Sequence, residues 1–376
     1  MTILYNAAEL GMIRTLIQYK GTMLLMVFKS YVFWMLLAVH ITLLLIDRRV
    51  DSINLPEMNK DGFKLSTPLL AFFLVFYVGE AYSRMNFFWE QCIGLRGTCM
   101  NWAACVRNNF PRNPDQQWNS SRLLIASMHI IYYQINDDEG SNQLGDDEWD
   151  RMVNRHLLTS TEVEYLKAYE GYKPFLPLVW ALAEAETALV GEARITNLTA
   201  SERYRVHDIL KEFRDLTFTF RGHCGQIQQW IAQPTPFPYY HALNFVLIFV
   251  LAIFSYGLVT FRFHEALTVW VYVTICLIFL GLKESAVAMN YPFGTDDIDF
   301  DVEDMLLGAY KNVVAVLRDG RVPRGRRSGS NISNPLEEKL SFAATKDAGR
   351  RRMSRVTTSL PSLPSFPLTR AAKLRT

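Results

Sequence analysis

A stretch of sequence with no charged side chain limits what this chain can fold into more than any other feature. Ala242–Phe261 contains no Asp, Glu, Lys or Arg. As a helix, such a stretch of about 20 residues spans roughly 30 Å, which is the thickness of the hydrocarbon core of a bilayer. Ala266–Leu282 is also free of charge and follows after a very short turn. The two stretches therefore predict a transmembrane helical hairpin.

Two more apolar stretches lie nearer the beginning of the sequence. Leu24–Ile46 carries Lys29 near its start, where a lysine side chain can reach the lipid headgroups. Pro68–Tyr82 is short and contains Glu80, so it suits a helix that neighbours shield or that lines a water path. The sequence thus predicts an all-α membrane protein with four transmembrane helices, both termini on one side and a helical domain outside the membrane.

Composition and motifs exclude several classes of protein. Of the 376 residues 50% are apolar and 13% aromatic, which is too many for a disordered chain. A formal net charge of +2 does not favour binding to nucleic acid. The five cysteines lack the spacing of a zinc site or a disulfide framework. Because the sequence has no zinc-protease, phosphate-loop or nucleophile-elbow motif, we predict that the protein is not an enzyme.

The middle of the chain reads as a soluble helical domain. The segment Thr159–Glu162, followed by Val163, predicts a capping box that opens a helix. Four apolar residues recur at helical spacing and are expected to pack in a core: Ile209, Phe213, Leu216 and Phe220. The acidic stretch from Asp137 to Glu148 is expected to be a solvated loop, because the sixth position counted from Asp137 is not the glycine of an EF-hand.

The end of the chain, from residue 318 to residue 376, is rich in Ser, Pro and Arg and is predicted to be disordered. Ser328 and Ser354 follow arginine residues in this tail. These two serines are therefore candidate phosphorylation sites for kinases that recognise basic sequences.

A stripe of residues four apart runs along the second predicted span. Pro68, Phe72, Phe76 and Glu80 lie on one face of a helix. The stripe is either packed against another helix or part of a ring of aromatic side chains around an ion path. A hydrophobic constriction of that kind gates by dewetting, and the positive edges of aromatic rings can face a passing anion.

An acidic segment follows the last predicted span, from Asn290 to Asp301. Pro292 and Gly294 allow a tight turn, after which Asp296, Asp297 and Asp299 crowd carboxylates into one loop. The loop is either a solvated acidic segment next to the membrane or a cation site. Ca²⁺ favours several carboxylate and carbonyl oxygens in a flexible cage and relieves the repulsion between the carboxylates.

Several segments of this sequence resemble those of the bestrophins. The resemblance covers about residues 1–310, and the acidic segment is its most specific part. The segments that carry it are Met1–Tyr5, Tyr19–Thr22, Phe76–Val78 with Arg84, Arg221 with Cys224–Gly225, and Asn290–Phe300.

The resemblance implies a pentameric, calcium-activated anion channel of α-helices with both termini in the cytoplasm. Its partners would be chloride and other small anions, membrane lipid and four further copies of the chain. It would be a multi-pass protein of the plasma membrane. It implies these regions: an N-terminal segment (1–23), transmembrane helices 1 and 2 with the pore neck (24–97), a cytosolic helical domain (98–232), transmembrane helices 3 and 4 (233–285), a calcium-clasp and strap segment (286–317) and a tail (318–376).

Site residues follow from the resemblance by position. The pore neck would comprise Phe72 and Phe76, with Pro68 and Glu80 on the same stripe. Ca²⁺ would be held by the side chains of Asp296 and Asp299, by backbone carbonyls near Asn290 or Tyr291, and by one from the N-terminal segment. A cytosolic aperture would lie near these three residues of the middle domain: His207, Asp208 and Ile209.

The sequence also departs from the family pattern. Met85-Asn86 replaces a Trp-Trp pair, Tyr291 is an extra residue, and Ile298 replaces an acid. Pro68 replaces an aliphatic residue of the neck, and Glu80 places an acid near the pore, where charge decides which ions pass. Two alternatives to an anion channel therefore stay open: a membrane scaffold or regulatory subunit that does not conduct, and a cation-permeable relative.

Overall fold

The structure is a computed structural model that describes residues 18, 21–49, 56, 58, 61–111, 113–136, 144–195, 199–261, 264–294 and 298–319. Within these ranges every regular element is an α-helix. The helices are α1 (Met23–Lys29), α2 (Tyr31–Arg49), α3 (Asp61–Asn109), α4 (Pro114–Ile135), α5 (Asp146–Asn154), α6 (Ser160–Ala168), α7 (Phe175–Ile195), α8 (Ala200–Ala232), α9 (Phe237–Thr260), α10 (Glu265–Asn290) and α11 (Val302–Asp319). The candidate phosphorylation sites Ser328 and Ser354 lie outside the described residues.

Among the described residues, three helices are long and apolar enough to cross a membrane: α2, α9 and α10. Helices α9 and α10 occupy the two stretches that predicted a hairpin, and each begins before the predicted residue. Together with α2 they enclose an apolar cluster that includes Phe33, Leu251 and Tyr272. The protein is therefore a helical membrane protein.

The predicted first span, Leu24–Ile46, is two helices rather than one. Ser30 adopts an extended conformation, with φ −75° and ψ 122°, and separates α1 from α2. The break leaves carbonyls at the end of α1 without helical partners. Ser30 N–H donates to the Val27 carbonyl at 3.0 Å, and the indole N–H of Trp34 donates to the Phe28 carbonyl at 2.9 Å. These bonds stabilise the break that the apolar pattern did not reveal.

The predicted second span, Pro68–Tyr82, belongs to a much longer helix. Helix α3 has 49 residues and continues through Pro68 and Gly79. At 1.5 Å per residue it is roughly 70 Å long, more than twice the thickness of the hydrocarbon core. It packs against α8, α9, α10 and α11. One helix therefore runs through the predicted boundary at residues 97 and 98 and joins the predicted neck to the helical domain.

The larger core lies between the second half of α3 and the helices α4, α7, α8 and α11. Trp102 of α3 is fully buried there and donates its indole N–H to Ser120 Oγ at 3.0 Å. The predicted apolar stripe of α8 is confirmed, since Phe213 and Phe220 are buried while Ile209 and Leu216 pack against the same cluster. Helix α8 is thus oriented by the residues that the pattern predicted.

The predicted capping box at the start of α6 is also confirmed. Glu162 N–H donates to Thr159 Oγ1 at 3.3 Å, and Thr159 N–H donates to a Glu162 carboxylate oxygen at 2.7 Å. The same carboxylate accepts two hydrogen bonds from Arg122 of α4, at 2.8 and 2.9 Å. Burial alone would raise the pKa of Glu162, but the bonds from Arg122 and Thr159 outweigh it and lower that pKa. The cap therefore also fastens α6 to α4.

Candidate functional site

The first half of α3 has two different faces. Residues at spacings of three and four turn toward the rest of the chain and are buried: Leu70, Leu74, Tyr77, Ala81, Arg84 and Phe88. The other side carries the predicted stripe, in which Phe72 is 69% and Phe76 58% exposed and both Pro68 and Glu80 are exposed. We call these four residues the neck face. Most of its surface is left uncovered by the described part of the chain.

Tyr239, at the start of α9, contacts α3 beside the neck face. Its hydroxyl donates to the Phe73 carbonyl of α3 at 2.9 Å. Its ring meets the Phe76 ring edge to face, with 5.7 Å between the ring centroids, and lies 6.4 Å from the Tyr77 ring. Such pairs stabilise one ring arrangement by about 0.5–1.5 kcal/mol. Tyr239 therefore helps to fix the position of Phe76.

The Arg84 side chain joins the ends of two helices to α3. Its guanidinium donates to the Asn290 carbonyl at 2.9 Å, to the Gln233 carbonyl at 2.9 Å, and to the Trp230 carbonyl. Carbonyls at the ends of α8 and α10 lack helical partners, and the negative end of the helix dipole favours a cation. Arg84 is only 7% exposed and lies over the Phe88 ring at 5.2 Å. A buried cation thus holds three carbonyl groups together.

The segment between α10 and α11, residues 291–301, is the predicted acidic segment, and we call it the acidic loop. It is closed by a hydrogen bond from Phe300 N–H to the Pro292 carbonyl at 2.9 Å. Phe293 is fully buried, and its ring lies 5.7 Å from that of Phe300 and 5.2 Å from that of Phe88 on α3. The aromatic residues of the loop therefore anchor it to α3.

The Asp299 side chain lies next to Gly294 within the acidic loop and is only 3% exposed. A Cβ atom on Gly294 would lie 2.9 Å from Asp299 Oδ2, so a larger residue at position 294 would displace this carboxylate. Asp296 lies outside the described residues. One of the predicted carboxylates is thus buried rather than solvated.

The two predicted carbonyl donors lie at the start of the acidic loop. The Asn290 carbonyl already accepts the hydrogen bond from Arg84, while the Asn290 side-chain amide donates to the Tyr77 hydroxyl at 2.8 Å. Asn290 Oδ1 is buried and accepts no hydrogen bond from the described residues. The Tyr291 hydroxyl donates to the Ile135 carbonyl. Both residues therefore tie the loop to neighbouring helices.

A polar cluster fixes the start of α11, which follows the acidic loop. Glu303 accepts hydrogen bonds from Arg155 at 3.0 Å, from Arg151 at 3.3 Å and from the Tyr133 hydroxyl at 3.3 Å. Arg155 also lies 3.2 Å from Nε2 of the fully buried His129. Because Nδ1 of His129 lies 2.9 Å from the Ile125 carbonyl, Nδ1 carries the proton and Nε2 accepts from Arg155.

The cluster should make the protein sensitive to acid. Burial lowers the pKa of His129 from about 6.5 to about 4. As the pH falls, the unfolded chain therefore takes up a proton on this histidine before the folded protein does. The stabilisation that is present above pH 6.5 is lost as the pH falls toward 4, and the free energy of unfolding decreases by roughly 3 kcal/mol in total. Burial alone would raise the pKa of Glu303, but the contacts with Arg155 and Arg151 outweigh it and lower that pKa. Protonation of Glu303 at low pH therefore also reduces the stability of the folded protein. Melting temperatures measured between pH 7 and pH 4 would show this fall.

A variant separates the histidine from the other acid-sensitive groups. Asn at position 129 keeps one donor and one acceptor but takes up no proton in this range. The melting temperature of His129→Asn should depend less steeply on pH between 6.5 and 4.5 than that of the unchanged protein. Equal slopes would show that His129 does not control acid stability.

A known protein family matches most of this sequence. A profile of the family described as "Bacterial/Fungal Bestrophin protein" matches residues 5–314. The chain belongs to the bestrophin family. No curated protein matches its sequence.

The solved structures that resemble this bestrophin share its fold. A single-site mutant of a bacterial bestrophin homologue from Klebsiella pneumoniae superimposes with a TM-score of 0.64 at 18% identity, over 77% of this chain and 98% of the other. Another structure of the Klebsiella pneumoniae homologue gives 0.63 at 18% identity, over 78% and 99%. A variant of a membrane protein gives 0.64 at 17% identity, over 78% and 99%. At these identities the likeness supports the fold.

The oxygens of the acidic loop in this bestrophin are of the kind that Ca²⁺ prefers. The buried carboxylate of Asp299 is a hard donor, as is Asn290 Oδ1, which accepts no hydrogen bond from the described residues, and Ca²⁺ accepts carboxylate, amide and carbonyl oxygens together. No three His, Cys, Asp or Glu side chains come together among the residues that the structure describes. The donors among the described residues therefore fit a calcium site that relies on amide and carbonyl oxygens beside one carboxylate.

The residues predicted for the cytosolic aperture of this bestrophin do not share one environment. His207 and Asp208 are exposed on α8, whereas Ile209 is half-buried and packs against the larger core. An aperture at this level would be lined by the first two, while Ile209 contributes to the core. The aperture stays a prediction.

Sequence reasoning missed the residues behind the neck face. Arg84 appeared only as part of the family resemblance, and Tyr239 was not singled out at all. The sequence does contain a signal for Arg84. An arginine seven residues from Tyr77 lies on the same buried face of the helix, so its guanidinium needs buried hydrogen-bond acceptors. For Tyr239 the sequence carries no such signal, because its partner is a backbone carbonyl in a distant helix.

Proposed function

We propose that this bestrophin is an anion-selective channel for chloride and other small anions, with its gate at the neck face. The observation that carries this proposal is the exposure of Phe72 and Phe76, at 69% and 58%, on a helix whose opposite face is buried. Rings in such a position form a wall that resists the passage of hydrated ions until it widens. Their positive edges suit an anion better than a cation.

The neck face of one chain cannot enclose a path, so the proposal requires an oligomer. We propose a homopentamer in the plasma membrane, in which α3 of each copy faces a common axis and contributes the fourth membrane span. The exposed neck face of α3 supports this arrangement, because a row of phenyl rings is otherwise left in contact with solvent or lipid.

Reconstitution of the purified protein into planar bilayers tests the proposal. We expect currents whose reversal potential follows the chloride gradient when the two sides contain different salt concentrations. The absence of current at every calcium concentration would favour the alternative of a non-conducting scaffold or regulatory subunit. A reversal potential that follows the cation gradient would favour a cation-permeable channel.

We further propose that Ca²⁺ activates the channel at the acidic loop. The side chains of Asp296 and Asp299, together with oxygens of Asn290 and Tyr291, would hold the ion. When bound, Ca²⁺ supplies positive charge that neutralises neighbouring carboxylates. The burial of Asp299 against Gly294 supports this assignment, since a carboxylate in such a place gains from a cation.

Asp299→Ala should weaken the response to calcium at least tenfold. The substitution removes a charged ligand, and one charge-assisted contact is worth about 1.5–3 kcal/mol. The calcium concentration that gives half-maximal current and the concentration that raises the melting temperature in detergent should both increase. Asp304→Ala is the matched control, because Asp304 is an exposed acid of α11 nearby. Unchanged calcium dependence in both measurements would remove Asp299 from the site.

Glu80 supports a second candidate, a channel with substantial cation permeability, because it is exposed on the neck face. A carboxylate about 10 Å from a passing ion contributes roughly 1.5 kcal/mol at an effective dielectric constant of about 20. Because this charge attracts sodium and repels chloride by the same amount, Glu80→Gln should increase the ratio of chloride to sodium permeability roughly a hundredfold. Reversal potentials in asymmetric NaCl measure this ratio. The control is Glu90→Gln, because Glu90 is an exposed acid farther along α3. Equal permeability ratios in the unchanged protein and in both variants would show that Glu80 does not face the ion path.

A further inference from the structure

Asn290 lies at a junction between the acidic loop and the neck helix. It is the last residue of α10, directly before the loop. Its side-chain amide donates to the Tyr77 hydroxyl at 2.8 Å, and its carbonyl accepts from Arg84 at 2.9 Å. Tyr77 and Arg84 are seven residues apart on α3, which is about 10 Å along the helix. The residue that directly precedes the loop is thus fastened to α3 at two separate points.

Tyr77 connects this junction to the aromatic residues of the neck. It follows Phe76 directly in the sequence but lies on the buried face, with only 2% exposure. Its ring lies 5.9 Å from the Tyr240 ring and 6.4 Å from the Tyr239 ring, and Tyr239 in turn meets Phe76. A displacement of the Tyr77 ring therefore changes the support of Phe76 through direct contacts.

The surroundings of the Tyr77 hydroxyl make its bond to Asn290 difficult to break. Tyr77 belongs to an apolar cluster with Leu74, Ala81, Leu243 and Ala286. A polar group that loses its partner in such surroundings costs about 1–3 kcal/mol. If Asn290 moves, the less costly response is for Tyr77, and with it this part of α3, to move as well.

We infer that the hydrogen bond between Asn290 and Tyr77 is the link through which the acidic loop sets the position of Phe76, whereas Arg84 fastens Asn290 about two turns farther along α3, away from Phe76. Tyr77 acts as a positioning residue, and Asn290 acts on it through its side-chain NH₂ group, which leaves Asn290 Oδ1 available to the proposed calcium site. The inference rests on the proposed function only in taking Phe76 as part of the gate. The link itself requires only that movement of the acidic loop displaces this part of α3.

The test uses the reactivity of a cysteine at position 76. Phe76→Cys is combined with Cys105→Ser, because Cys105 is partly exposed whereas Cys92, Cys99, Cys224 and Cys276 are buried. The rate of modification by a charged methanethiosulfonate reagent is measured on the full-length protein in detergent. The loop is perturbed by Asp299→Asn, and the link is removed by Tyr77→Phe, which keeps the ring and its packing.

We expect Asp299→Asn to change the modification rate about two- to tenfold when Tyr77 is present, which is the range of one hydrogen bond. In the Tyr77→Phe background the same loop substitution should change the rate less than 1.5-fold, as a rough limit. Tyr77→Phe and Asn290→Ala should also be non-additive, since both remove the same bond. The control is Tyr82→Phe, whose side chain is 57% exposed on the same helix and should leave the loop effect intact.

Two results would overturn the link. One is an equal effect of Asp299→Asn with and without the Tyr77 hydroxyl. The other is no effect of Asp299→Asn on position 76 in either background, which would show that the loop does not act on the neck. Bilayer recordings separate the link from the proposed function. A protein that shows the link in the cysteine rates but carries no anion current would contradict the channel and keep the link.

Discussion

Replacing Phe76 with alanine is expected to leave the channel conducting in the absence of calcium. The apolar surface of one phenyl side chain corresponds to about 1.5–3 kcal/mol of transfer free energy, and each 1.4 kcal/mol is about a factor of ten. The current recorded without calcium should therefore rise roughly ten- to a hundredfold. Because Phe76 is 58% exposed in the chain, its truncation should cost little folding stability.

The matched control for this prediction is Phe249→Ala. Phe249 is 57% exposed, almost as much as Phe76, but it lies on α9 and outside the neck face. Its truncation should leave both the calcium-free current and the calcium response unchanged. Similar leaks in both variants would show that loss of an exposed ring anywhere on the membrane helices loosens the assembly. No leak in Phe76→Ala would show that this ring only packs.

The parts of the fold that the sequence predicts are those set by local pattern. The hairpin of α9 and α10 follows from two stretches without charge, and the start of α6 follows from Thr159 and Glu162. The grouping of the neck-face residues on one side of α3 also follows from spacing alone, because residues four apart share a face wherever the helix begins. Spacing could not tell whether Phe72 and Phe76 are exposed or packed, and the structure leaves them exposed.

The parts that the sequence does not predict depend on particular contacts that the spacing of apolar and charged residues does not reveal. The break at Ser30 is stabilised by Trp34, whose indole reaches back to the Phe28 carbonyl. The full length of α3 was missed because its second half is amphipathic and packs in the larger core, so its hydrophobicity falls without the helix ending. The sequence predicts a turn at Pro292 and Gly294, but it does not predict that Asp299 is buried or that its carboxylate lies beside Gly294.

Arg84→Ala is expected to cause the largest loss of stability of any single substitution considered. The Arg84 side chain donates to the carbonyls of Asn290, Gln233 and Trp230. Each buried acceptor that loses its donor costs about 1–3 kcal/mol, so the total for the three carbonyls should be about 3–9 kcal/mol. The melting temperature in detergent should fall by roughly 5–10 °C, and the yield of assembled oligomer should fall with it.

Two further variants distinguish the fastening role of Arg84 from its charge alone. Lysine keeps the charge but places one ammonium where three guanidinium nitrogens now serve three carbonyls, so Arg84→Lys should recover only part of the lost stability. Arg96→Ala removes an exposed arginine of the same helix and should change the unfolding free energy by about 0.5 kcal/mol or less. Full recovery with lysine would mean that a positive charge at the helix ends is sufficient. Only a smaller recovery fits a guanidinium that joins α8 and α10 to the neck helix.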